Sequence, residues 1–151
     1  MTRQRRAYTG EAGVALIHMA IFLPMLLLFT GLAVDSGRAY VVKAQLSKAV
    51  DGAALSAARN LNGGNPKGEA AKVFSANFPP DYMGATSVTD PNTAPDFYEM
   101  HTDEATGMHI VTIKATATVP TTFMRLGDFN SVTVSSSSEA TRRLVDWLQR
   151  K

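Results

Sequence analysis

Residues 12–34 read AGVALIHMAIFLPMLLLFTGLAV, an apolar run without a formal charge that stands almost at the N-terminus. As a helix it reaches roughly 34 Å, enough to cross a hydrocarbon core of about 30 Å. A chain that begins this way is held at a bilayer by its first segment, and the rest of it folds beside that surface. Arg3, Arg5 and Arg6 precede the run. A secretory leader has the same basic front, but its apolar region is typically about 7–15 residues. Gly31-Leu32-Ala33 is only a weak match to a small-residue cleavage site. The expectation is a retained anchor.

Charge supports this topology. Of 15 Lys/Arg and 13 Asp/Glu, three Arg and one Glu stand in residues 1–11, which leaves twelve of each sign from Asp35 onward. The basic excess is an orientation signal: residues 1–11 form a cytoplasmic tail, 12–34 the membrane helix, and 35–151 a domain on the far side. A neutral domain gives no footprint for nucleic acid. The chain has no cysteine, so disulfides, thiolate metal sites and a Cys nucleophile are excluded.

The helical pattern continues past the run. Ala39, Val42, Leu46, Ala49 (with Val50), Ala53 and Ala57 recur at steps of three and four, while Asp35, Arg38, Lys43, Lys48, Asp51 and Arg59 fall mostly elsewhere. One helix from about Gly13 to Leu61 is expected, half in lipid and half outside. Its Ala-rich face is suited to close approach, either by the chain's own sheet or by a partner, with Leu46, Ala49, Ala53 and Ala57 as the candidate docking residues. Pro24 removes a backbone donor and clashes with the preceding turn, so a kink over residues 20–24 is expected. His18 has two readings: a polar contact to a partner in the membrane, or a neutral imidazole satisfied by a carbonyl one turn away. Gly31 and Gly37, flanked by Thr30 and Ser36, place small residues at the outer membrane edge, where helix contacts form.

NGGNPKG over residues 62–68 ends the helix. Residues 69–78 read as a short helix with Val73 and Phe74 inward, stopped by Pro79-Pro80. Strands are expected at 86–89, 96–102, 108–119 and 132–138, with a hairpin loop at 103–107 and a turn or short helix at 121–126. Residues 142–151, RRLVDWLQRK, form a short basic amphipathic end. The class is α+β: a long helix and a short one against a small antiparallel sheet.

Chemistry-bearing patterns are sparse. His101, Asp103, Glu104 and His109 flank the hairpin loop without a zinc spacing. Ser135 to Ser138 lack a glycine elbow. Neither phosphate-binding glycine motif is present. No catalytic residue, metal, cofactor, nucleic acid or small-molecule substrate is expected.

The stretches Gly10-Glu11-Ala12-Gly13-Val14-Ala15-Leu16, Leu23-Pro24-Met25-Leu26-Leu27 and GLAVDSGRAY over residues 31–40 together resemble the N-terminal region of TadG-like proteins. These belong to the tight adherence (Tad, or Flp) pilus assembly system. The resemblance continues through Leu46, Ala49, Asp51, Ala53-Ala54-Leu55 and Ala57-Ala58, and more weakly through Asn77-Phe78-Pro79, Val119-Pro120-Thr121 and Phe123-Met124. Gly13, Asp35, Gly37, Arg38 and Tyr40 are its motif positions. It implies a non-enzymatic, single-pass inner-membrane protein with a periplasmic part, whose partners are membrane lipids and other Tad pilus-assembly or pilin subunits. The smaller TadE and TadF relatives look like minor pilins cut by a prepilin peptidase. A fibre subunit processed after Gly10 is therefore the alternative, and His18 stands where those relatives carry a Glu. The von Willebrand-type domain of many TadG-like proteins has no counterpart in these residues, so metal-dependent adhesion is not carried over. A third reading, an anchored exterior enzyme fragment, lacks a nucleophile or paired-carboxylate motif.

Overall fold

A computed structural model of the chain describes residues 11–142. Helix α1 (Glu11–Arg59) runs unbroken for 49 residues, about 73 Å. Its N-terminal half lies free of the domain: Val14, Leu16, Phe22, Leu26 and Phe29 are all exposed. Among the described residues one helix is long and apolar enough to cross a membrane, and its most apolar stretch is left bare by the domain. Pro24 lies inside α1, and the helix continues through it. Proline has no N–H, so the carbonyl four residues back, that of Ala20, lacks its usual donor.

The second half of α1 is a core element. Val42, Leu46, Ala49, Val50, Ala53, Ala54 and Ala57 are fully buried, as the three- and four-residue spacing predicts. They pack on a three-stranded antiparallel sheet of order β1-β2-β3, made of β1 (Tyr98–Thr102), β2 (His109–Pro120) and β3 (Ser131–Thr141). Strand β2 buries Val111, Ile113, Ala115, Ala117 and Val119 against the helix. This is the alternation of a half-covered sheet. The sheet runs alongside the helix. Arg38 bonds the Pro120 end of β2, and Arg59, near the far end of α1, accepts from Arg142 just past β3.

Helix α2 (Pro66–Asn77) closes the core beside α1. It begins earlier than residue 69. Asn65 caps it by accepting from the Gly68 N–H at 2.9 Å, and Pro66 takes the first helical position. Within NGGNPKG the last four residues are therefore a helix start and not part of the break. Phe74 meets Phe97 edge-on at 5.3 Å and stacks with Phe78 at 6.1 Å.

The β1–β2 hairpin turns at 103–108, where Gly107 takes φ 66° and donates to Asp103. The strand expected at 86–89 is reduced to a bridge. Thr86 exchanges two backbone bonds with Thr118, and Thr89 bonds Thr116, but Ser87 at φ 49° breaks the ladder between them. That segment still serves β2: β1 pairs only with residues 109–113, and Thr86 and Thr89 satisfy the edge beyond. Residues 95–97 form a 3-10 turn, so β1 starts at Tyr98. Residues 124–127 are 3-10 as well, within the region read as a turn or short helix. Of the basic C-terminal end, residues 143–151 lie outside the described residues.

Candidate functional site at the helix–domain junction

One turn of α1 gathers three distant segments. Asp35 is buried, at 4% exposure. Its Oδ2 accepts from the N–H groups of Phe123 and Met124, both at 2.8 Å, and its Oδ1 from Thr122 N–H at 3.0 Å. These three consecutive donors open the 3-10 turn at Met124–Gly127, so Asp35 caps that turn from another element. The Met124 N–H foremost, with those of Thr122 and Phe123 and the nearby Arg38 charge, holds the carboxyl below the usual carboxylate range despite burial. Arg38 donates from Nε to Met83 O at 2.7 Å and from Nη1 to Pro120 O at 3.2 Å. The two charged residues thus fasten the loop after β2, the 82–84 turn and the end of β2 to the helix.

Four residues before Asp35, Gly31 is buried against Phe123. A Cβ at position 31 would overlap Cβ and Cγ of that ring, so only glycine permits the approach. The small residue at the membrane edge therefore marks a contact within the chain. Gly13 and Gly37 have nothing within 4 Å of an added Cβ. Tyr40 points away from the domain and is 74% exposed.

 The candidate docking residues Leu46, Ala49, Ala53 and Ala57 are all at 0% exposure inside the chain's own core. The expectation that this face also receives a partner is corrected: β2, β3 and α2 cover it, and a partner must use another side of α1.

In the apolar half, His18 donates from Nδ1 to Val14 O at 2.8 Å, and Thr30 Oγ1 donates to Leu26 O at 2.9 Å. A carbonyl can only accept, so Nδ1 carries the proton. This is the locally satisfied reading of His18, with the ring stacked on Phe22 at 6.4 Å. Near the hairpin, His109 Nδ1 bonds Thr102 Oγ1 at 2.9 Å and Asp103 bonds within its own turn. Among the described residues no group of three or more His, Asp or Glu converges.

Residues 13–60 match the family of Flp pilus-assembly TadE/G-like proteins. No curated protein and no solved structure matches the chain. The TadE/G-like segment is about a third of the chain and coincides with α1 from Gly13 through its last turn. It contains Asp35, Arg38 and Tyr40, and their surroundings divide its motif by role. Asp35 and Arg38 hold the domain, whereas Tyr40 and Gly37 lie on the uncovered side. The donors that Asp35 meets, and Met83, lie outside the segment. Nothing in the sequence announces them, because backbone N–H and C=O groups carry no residue signature.

Proposed function

We propose that the chain is a non-enzymatic Tad/Flp pilus-assembly protein that sits in the bacterial inner membrane through residues 12–34 and acts by protein–protein contact. Residues 35–151 would lie in the periplasm. The observation that carries this reading is the TadE/G-like segment itself, whose single helix is bare over its apolar half and locked into a folded domain over the other. Such a helix sets where a domain stands relative to the bilayer, and positioning is the work of an assembly factor. The uncovered side of α1, with Tyr40 and Val41 exposed, is the surface left for other Tad subunits.

A photoreactive residue at Tyr40 in living cells tests the partner contact, with one at buried Ala53 as reference. Adducts to another pilus-assembly or pilin subunit from position 40, and none from position 53, are expected. Self-adducts alone at both positions would overturn the reading. The absence of cysteine makes orientation equally accessible. Thr106→Cys, on the exposed hairpin, should react with an impermeant maleimide once the outer membrane is permeabilised. Labelling only after the inner membrane is lysed would reverse the topology.

The unbroken helix also supports the second reading, a minor pilin whose apolar half leaves the bilayer and packs in a fibre. Mass spectrometry of the mature protein separates the two. A terminus at Glu11 would favour the pilin, and an intact terminus the assembly factor.

A further inference from the structure

Outside α1, five large apolar side chains are exposed among the described residues: Met83, Met100, Phe123, Leu126 and Phe129. Four of them stand at one end of the domain, the end fastened to Asp35 and Arg38. Leu126 is 81% exposed and Phe129 65%. Exposed leucine and phenylalanine gathered this way mark an interaction surface.

The loop that carries three of them, Phe123, Leu126 and Phe129, is held in shape by its own bonds. Thr121 N–H donates to Asn130 O, Leu126 N–H to Phe123 O, Asp128 N–H to Arg125 O and Phe129 N–H to Met124 O. The Thr121 hydroxyl also donates to Phe129 O. Asp35 holds the first three donors of its turn, and Asp128 takes a left-handed φ of 69° to reverse the chain. The apolar tip is therefore presented by a fixed scaffold.

Its height is set by Gly31. Phe123 packs on that glycine, which is one helical turn, about 6 Å, below Asp35 and inside the apolar run. Side chains at that level meet the boundary between headgroups and acyl chains, where amphipathic surfaces bury about 5–10 Å. We infer that the loop of residues 122–129 is a second membrane contact, in which Phe123, Leu126 and Phe129 enter the outer edge of the same bilayer that α1 crosses. The occupant is phospholipid, because Phe123 of this patch packs on Gly31 inside the apolar run, whose other side chains are left bare by the domain. Arg125, exposed on the same loop, is suited to a lipid phosphate at the interface. The domain would then rest on the membrane at two points and lose its freedom to swing about the helix.

This inference rests on the membrane-spanning reading of residues 12–34, and one experiment separates the two. The full chain, with Trp147→Phe to remove its single tryptophan, is placed in nanodiscs of phosphatidylethanolamine and phosphatidylglycerol. Three variants each carry one new reporter: Leu126→Trp on the loop, Leu27→Trp in the run and Thr106→Trp on the distal hairpin. Quenching by lipids brominated along the acyl chain is then read. Strong quenching of the reporters at 27 and 126, at least threefold above that at 106, is the expected result. Quenching at 27 with a response at 126 equal to that at 106 would overturn the loop contact and leave the span standing. Absence of quenching at 27 would overturn the span and the loop contact with it. A loop instead covered by a second copy or another protein would give an unquenched but blue-shifted reporter at 126, which also overturns the proposal.

Discussion

At Asp35 two oxygens receive three N–H groups, a number that an amide cannot match. Asparagine has one acceptor oxygen, and its NH2 would face donors where the second oxygen stood. Asp35→Asn should therefore lower the Tm of the full chain in detergent micelles by roughly 5 °C or more. Amide exchange at Thr122, Phe123 and Met124 should accelerate. The same geometry sets a pH dependence. The folded carboxyl is held below its unfolded value, which is about 3.9, so its contribution is complete above that pH. It declines as pH falls from about 4 through the folded value. The stability gap between wild type and Asp35→Asn should thus be constant from pH 5 to 7 and narrow below pH 4. A gap that widened on acidification would contradict the assigned role.

Two elements show what pattern conveys and what it hides. The buried face of α1, from Val42 to Ala57, follows from spacing alone, because a helix repeats every 3.6 residues and the sheet covers one side. The hairpin at 103–107 was equally legible, since its turn needs a glycine at positive φ. The start of α2 was not, because Asn65-Pro66 reads as a break when taken with the two glycines before it. The strand at 86–89 failed for a different reason: its residues suit a strand, but Ser87 takes a positive φ that interrupts the ladder. Within the site, Asp35 and Arg38 stood out as motif residues, while their partners, Met83, Pro120 and Thr122 to Met124, lay far along the chain and bond through the backbone. Packing at α2 gives the prediction at this scale. Phe74 is 2% exposed and touches Phe78 and Phe97. Phe74→Ala should cost about 3–5 kcal/mol, read as a lower urea midpoint at unchanged slope.

For the whole molecule, the decisive property is that no joint separates the apolar run from the domain. Helix α1 passes from Val34 to Asp35 without interruption, and domain contacts reach back to Gly31. Rotation of the run about its axis is then coupled to rotation of the domain. A single alanine inserted between Leu32 and Ala33 would turn Gly31 by about 100° and shift it about 1.5 Å relative to Asp35. Phe123 would meet a different side of the helix, and the loop would have to leave either Gly31 or Asp35. An insertion of seven residues adds almost two whole turns, restoring the facing direction to within about 20° while raising the domain by about 10 Å. If the helix only tethers, both insertions should support pilus assembly as well as the parent. If it positions the domain at a fixed angle and height, both should fail in a complementation assay. If angle alone matters, the single insertion fails and the seven-residue insertion survives. The contacts at Gly31 fix both angle and height, so failure of both is the expected outcome.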